Sequence, residues 1–361
     1  MPQDTDIPVK PEAQSTSHVT KKPASRTPRR DESLDIAKGF GILLVVLGHC
    51  LIGLRGSNFF PASLAWPAIA IMAIYFFHMP LFFVVSGHLA SGKHRPATTT
   101  IAKLIPAIVY PYFLWSVLQG LVEIYLTRFT NGHASITSLY RILWIPIVPY
   151  WFLYALFFCH LGYLAIRKLP HAVQMTIAAA LFLIPLFFID VLSRNYLQIV
   201  LQTTRGFLYY VIGVVTVTQM KQLGRWAAIA ATLLFAVFAT VNIQSQFHGL
   251  IGTVAELPAA LSGIVATLAW SRLLAAKDNV TTSALAFLGR YSMSIYVMHI
   301  FFTAGVRIAL QRLHLQPNLA GTLLEIVTAT AIGILLPLGI NWVVSKINMD
   351  AWLGIQHMET R

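Results

Sequence analysis

Lys38 and His49 lie eleven positions apart in one apolar run, ESLDIAKGFGILLVVLGHCLIG. At 100° and 1.5 Å per residue, that spacing is about 20° past three full turns and roughly 16 Å along a helix axis. Both side chains therefore leave one helix face, the cation near one end of the run and the imidazole deep within it. Asp35, three residues before Lys38, shares the face and can pair with it. A cation at the mouth with an imidazole above it suits a ligand with an anionic head and a reactive tail. An imidazole in an apolar run also serves as an ordinary interhelical hydrogen bonder, and the spacing alone does not choose between the two. Ser292, Tyr296 and His299 recur at i, i+4 and i+7, which is one helix face. His78 stands beside Pro80, which loosens a helix and frees backbone carbonyls. Ser86 either lines a cavity or bonds back to its own helix. His160 has no motif around it and reads as structural. Glu123, Asp190, Glu256 and Glu325 fall in or near apolar runs, where ionisable groups are costly and point to function unless they pair with nearby arginines. His49, His78 and His299 lie on three separate runs with no HxxxH spacing, so a metal site is not expected. P-loop, GxGxxG and GxSxG signatures are absent.

The elements that must position these residues are membrane spans. Hydrophobic residues make up 57% of the chain and charged residues 11%, against about 45–50% and 25% in soluble proteins. With about 20 apolar residues needed per spanning helix, the 361 residues predict an all-α integral membrane protein of about ten transmembrane helices. The runs are Ile36–Leu54, Leu64–Leu89, Ile101–Leu126, Tyr150–Ile166, Val173–Ile189, Arg205–Thr218, Trp226–Val241, Glu256–Leu274, Ser283–Thr303 and Leu319–Val344. The sixth is short, and Pro106 and Pro111 should kink the third by removing backbone donors. Residues 1–33 lack an apolar segment of signal-peptide type and are rich in Pro, Ser, Thr and basic residues, which predicts a disordered basic tail. Residues 34–345 form the transmembrane domain and 346–361 a short second tail. Cys50 and Cys159 sit inside apolar runs, so no disulfide framework is expected.

The net charge is +13, from 26 Lys+Arg and 13 Asp+Glu. On so apolar a chain it reads as topology rather than nucleic-acid binding. With the N-terminus inside, the inner segments carry Lys10, Lys21, Lys22, Arg26, Arg29 and Arg30, then Lys93, Arg95, Lys103, Arg167, Lys168, Lys221, Arg225, Arg272, Lys277, Lys346 and Arg361. The outer segments carry only Arg55, Arg128, Arg141, Arg194, Arg205, Arg307 and Arg312. Positive-inside bias therefore places both termini in the cytoplasm and the four carboxylates toward the outer side.

The run Leu34-Asp35-x-x-Lys38-Gly39, followed by Val45-Val46-x-Gly48-His49, resembles the opening motif of acyltransferase family 3, integral membrane enzymes that O-acylate sugars. Phe77-His78-Met79-Pro80-Leu81-Phe82-Phe83-Val84-Val85-Ser86-Gly87 is similar to the family's second span, especially in the branch of fucose 4-O-acetylases and polysaccharide acetyltransferases. Tyr150-Trp151-Phe152-Leu153 and Gly289-Arg290-x-Ser292-x-x-Ile295-Tyr296-x-x-His299 match further on, in order, so that the resemblance covers residues 33 to about 345. One position departs. The family usually carries Arg-x-x-Arg entering the third span; here Lys103 fills the second place and Thr100 the first, with Lys93 and Arg95 upstream.

The resemblance implies transfer of an acetyl group from acetyl-CoA to a hydroxyl of a lipid-linked or exported glycan. The setting would be the lipid bilayer of the cell inner membrane, in the company of glycan-assembly machinery. His49 would act as general base or as an acyl-carrying nucleophile, with Lys38 and Asp35 holding the donor end. Lys38, Lys93, Arg95, Lys103 and Arg290 would hold the anionic donor, since fixed cations match phosphate oxygens. His78, Ser86, Trp151, Ser292, Tyr296 and His299 would line the acceptor site, with Glu123, Arg141 and Glu256 gripping sugar hydroxyls. A secondary transporter also uses intramembrane His, Glu and Arg. It favours inverted repeats, and the first five spans show no correspondence with the last five.

Overall fold

The computed structural model describes residues 31–57, 65–92, 95–126, 136–188, 198–245, 249–277, 279–313 and 318–358. Lys93, Arg128, Asp190, Arg194 and residues 1–30 of the basic tail lie outside the described residues. Among the described residues the regular structure is helical throughout, with no strand. A membrane requires this of an open chain, because each backbone donor must find its acceptor within the segment.

The helices in chain order are α1 (Glu32–Gly56), α2 (Trp66–Ala90), α3 (Ala97–Leu104), α4 (Tyr110–Tyr125), α5 (Ile136–Arg141), α6 (Trp151–Ile166), α7 (His171–Leu183) and α8 (Gln198–Val215). There follow α9 (Val217–Met220), α10 (Arg225–Ser245), α11 (Gly249–Ala275), α12 (Val280–Arg290), α13 (Ser292–Arg312) and α14 (Leu319–Lys346). Eight stretches among the described residues are long and apolar enough to cross a membrane: Glu32–Gly56, Trp66–Ala90, Ala97–Tyr125, His171–Phe188, Arg225–Ser245, Ile251–Ala275, Ser292–Arg312 and Leu319–Lys346. The chain is a multi-pass membrane protein. The remaining two expected runs are also helical. At 16 residues, α6 is about 24 Å long against a hydrocarbon core of about 30 Å. The first half of α8 carries Gln198, Gln202 and Arg205, which lowers its hydropathy.

Two local features depart from plain α-helix. Ala97–Tyr125 passes through a π-helical turn at Ile105–Val109, where Pro106 removes a donor from the ladder. The expected ninth span, Ser283–Thr303, is instead broken at Tyr291 (φ −102°, ψ 18°), and the apolar crossing is α13, shifted toward the C-terminus. The break follows a backbone contact. An added Cβ on Gly289 would lie 1.7 Å from the Asp35 carbonyl oxygen, and one on Gly39 would lie 1.9 Å from that of Leu285. With glycine at both positions, α12 and α1 touch backbone to backbone, as small residues allow in membranes.

At the centre, α1 contacts α2, α11, α12, α13 and α14, and Ala37, Val45 and Val46 on it are fully buried. Gly41 lies against Phe82 and Leu81, and Gly48 against Tyr75 and Ile74, so α1 and α2 run antiparallel. Lys38 is therefore level with the Ser86 end of α2, and His49 with its Tyr75 end. The stretch after α14 is not a free tail as far as it is described. Trp115 Nε1 donates to the Leu353 carbonyl at 2.9 Å, Tyr110 Oη to that of Trp352 at 2.5 Å, and the Met358 amide to Ser345 Oγ at 2.8 Å. Ile355 and Met358 are buried.

Candidate active site

His49 Nδ1 lies 2.9 Å from the carbonyl oxygen of Val45, one turn back on α1. A carbonyl only accepts, so the ring proton sits on Nδ1 and the neutral imidazole carries its lone pair on Nε2. Two further histidines are held in the same way. His78 Nδ1 donates to the Ile74 carbonyl at 2.7 Å, and His299 Nδ1 to the Tyr296 carbonyl at 2.7 Å. Nε2 of His78 and Nε2 of His299 are buried without a hydrogen-bond partner. The ring of His299 stands edge-on to that of His49 with centroids 5.0 Å apart, and Tyr75 lies 6.4 Å from His49 and 4.6 Å from His78. Three imidazoles predicted from separate spans thus gather around one point, from α1, α2 and α13.

Two cavities meet at His49. One, of about 370 Å³, is lined by His49, Tyr75, His78, Met79, Trp151, Gln198, Gln202 and Tyr296, with neither a carboxylate nor a cation among the described residues that border it. The other, of about 270 Å³, is lined by His49, Cys50, Gln119, Glu123, Thr303, Arg307 and Glu325. A base bordering two chambers can receive one reactant from each side.

Lys38, Arg95 and Lys103, the described cations expected to hold the donor, lie toward the other end of the bundle. Lys38 Nζ pairs with Asp35 Oδ1 at 2.7 Å, and their side chains are 18% and 6% exposed. A third cavity, of about 280 Å³, is lined by Ser86, Arg95, Thr100, Lys103, His160, Tyr163, Arg167 and Tyr210. Among the described residues it is lined by three cations and no carboxylate, which suits an anionic ligand. Arg167 also donates to the Arg95 carbonyl at 2.8 Å. Ser86 and His78 are eight residues apart on α2, roughly 12 Å along the axis. Between them Phe82, Phe83, Trp151 and Phe152 pack with ring centroids 4.9–6.5 Å apart.

The predicted residues thus divide by location. His49, His78, Trp151, Tyr296 and His299 come together, Glu123 borders the charged chamber, and Ser86, Arg95 and Lys103 line the basic cavity. Tyr296 is tied down by its hydroxyl, which donates to the Pro149 carbonyl. Ser292, at the start of α13, and Arg290, exposed at the end of α12, border none of these three cavities. Nor does Arg141, half-buried at the end of α5, or Glu256, which lies on α11 three residues beyond Thr253. Arg205 donates to Thr253 Oγ1. Reasoning from sequence missed Tyr75, Gln119, Gln198, Gln202, Arg167 and the structural partner of His160, Tyr210 Oη at 2.7 Å. It noted Glu325 and Arg307 as ionisable groups near spans without joining them to His49. A glutamine inside an expected span was the available signal for Gln119, whereas Gln198 and Gln202 precede the expected sixth run, because the helix begins earlier than its hydropathy suggests.

The acyltransferase domain of family 3 matches residues 31–342, nearly the whole chain. The protein belongs to acyltransferase family 3, a class of multi-pass membrane proteins. Among curated proteins it is similar to the nodulation protein NolL of Mesorhizobium japonicum, 31% identical over 148 residues, which is 40% of this chain and 37% of that protein. NolL of Sinorhizobium fredii is 33% identical over 131 residues, or 35% and 34% of the two chains. The matched stretch spans little more than a third of either relative. No solved structure matches the chain.

Proposed function

We propose that the protein is an O-acetyltransferase that moves an acetyl group from acetyl-CoA to a sugar hydroxyl of a lipid-linked or exported surface glycan. The observation that carries this is His49: its proton is committed to the Val45 carbonyl, which leaves the lone pair on Nε2, the residue borders both chambers, and it stands in the family's opening motif. A sugar hydroxyl is a poor nucleophile near neutral pH, and a positioned imidazole that removes its proton as the carbonyl is attacked contributes about 10²–10⁴-fold. His49 Nε2 takes the acceptor's proton and returns it to the departing thiolate, so the ring ends as it began. His78 and His299 pack beside it, each ring tied through Nδ1 to its own helix, and hold the His49 imidazole in place.

Donor phosphates bind at the other end of the bundle. There Lys38, held by Asp35, and the Arg95, Lys103 and Arg167 cavity supply positive charge. Lys93 joins this set by its place in the chain. Positive-inside bias puts this end in the cytoplasm of the inner membrane, where acetyl-CoA is made. Mass analysis of surface glycan from a deletion strain tests the proposal. Loss of one acetyl substituent, restored by the wild-type gene and not by His49→Ala, is expected; glycan with unchanged acetylation contradicts it.

A further inference from the structure

The chamber that His49 shares with Glu325 has an imbalance of hydrogen-bonding atoms. Glu325 is 0% exposed, and neither of its carboxylate oxygens has a hydrogen-bond partner. Gln119, in the same wall, uses its amide nitrogen on Glu123 Oε1 at 2.7 Å and on the Val148 carbonyl at 2.6 Å, and its buried Oε1 is left over. These three buried atoms are all acceptors. Leaving a carboxylate without donors in a membrane interior is costly, so the chamber is built for a ligand that brings several donors. Arg307 stands in the same wall, its guanidinium over Gly53, where an added Cβ would come within 2.3 Å of Nη1. The guanidinium brings donors of its own, which an ammonium group, with no lone pair, cannot accept. A hydroxyl group answers both neighbours, donating to the carboxylate and accepting from the guanidinium. At about 270 Å³ the chamber lies just below the usual range for small-molecule pockets, roughly 300–1,000 Å³, which suits one sugar ring rather than a chain.

We propose that Glu325 is the acceptor-binding carboxylate of the site: with Gln119 Oε1 it receives hydrogen bonds from neighbouring hydroxyls of a neutral sugar ring and thereby sets which hydroxyl faces His49. This rests on the acyl-transfer function proposed above and assigns the acceptor to the charged chamber. The test uses membranes carrying the full-length protein, radiolabelled acetyl-CoA, and p-nitrophenyl glycosides of neutral hexoses, deoxyhexoses and glucosamine as probes. Glu325→Gln should raise KM for the neutral glycosides about tenfold or more, as loss of a hydrogen bond to a charged group does. KM for acetyl-CoA should not change, and Glu325→Asp should recover part of the loss. An unchanged glycoside KM in Glu325→Gln, or a preference of the wild type for the glucosaminide, would overturn the assignment. No transfer from the wild type to any glycoside would instead strike at the acyl-transfer function itself. A second measurement is independent of whether the variants insert. Dicyclohexylcarbodiimide attacks carboxyl groups in apolar surroundings, and mass spectrometry of the wild-type protein should find Glu325 modified and the neutral glycosides protecting it. Modification that the glycosides do not slow would also overturn the assignment.

Discussion

Because a carbonyl oxygen can only accept, the contacts of Val45 with His49, Ile74 with His78 and Tyr296 with His299 put the proton on Nδ1 and the lone pair on Nε2 in three neighbouring rings. Of the three, His49 alone borders both chambers. His78→Ala and His299→Ala, which remove packing around His49 outside the charged chamber, should therefore lower kcat more than they change acceptor KM, and a change confined to acceptor KM would instead put them in contact with the acceptor. Lys38→Gln should raise KM for acetyl-CoA and leave acceptor KM as it was; equal changes in both would remove Lys38 from the donor site. Gly53→Ala probes the charged chamber gently. Its methyl group meets only the flexible end of Arg307, so the guanidinium should move aside with the fold intact and acceptor KM should rise. Helical spacing alone puts Lys38, His49 and Asp35 on one face, and the resemblance to the family's opening motif, not the spacing, is what gave them a role. Tyr75, Gln119, Gln198 and Gln202 reach His49 from other helices, and no spacing along one chain reveals a meeting between helices.

Small residues decide how the elements meet. Gly39 and Gly289 bring α1 and α12 to backbone contact, and Gly87 and Gly213 do the same for α2 and α8, where an added Cβ would lie 1.9 Å from the Tyr210 carbonyl oxygen and 2.0 Å from that of Val84. Gly289→Ala has no flexible side chain to displace, so it should cost about 1–3 kcal/mol by overpacking. A fall in the thermal unfolding midpoint of the detergent-purified protein checks this, and an unchanged midpoint would mean that the two helices are not so close. The same contact explains the misplaced ninth span. Ala284, Leu285, Ala286, Phe287 and Leu288 continue the apolar pattern without a gap, so hydropathy reads through Tyr291. The helix ends there because α12 is held against α1, which is a tertiary cause. The long apolar helices were legible because about 20 apolar residues have few alternatives to a span. Marginal α6 and α8 were legible as helices, but composition alone does not carry them as full crossings.

The whole molecule has two chemically different ends. The basic cavity and Lys38 lie at one, the three histidines and Glu325 toward the other, with the aromatic cluster of Phe82, Phe83, Trp151 and Phe152 between. Charge bias predicted this polarity, but which cavity each carboxylate joins depended on the packing: Glu325 and Glu123 border the His49 chamber, while Glu256 lies on α11 near Thr253, the partner of Arg205. Orientation can be read by labelling. Cys50 and Cys159 are both buried, so single cysteines placed on the exposed Leu313 and Thr98 report with low background. A membrane-impermeant maleimide on intact cells should label Leu313→Cys and reach Thr98→Cys only after lysis, and the reverse pattern would invert the topology. In the proposed function His49 drives transfer of an acyl group, and transfer itself can be counted. Membranes carrying the wild type or His49→Ala, at matched protein levels, are given radiolabelled acetyl-CoA and glycan acceptor, and label in the glycan is counted. Labelling by the wild type that falls by about 10²-fold or more in His49→Ala is the predicted result; equal labelling by the two would contradict it.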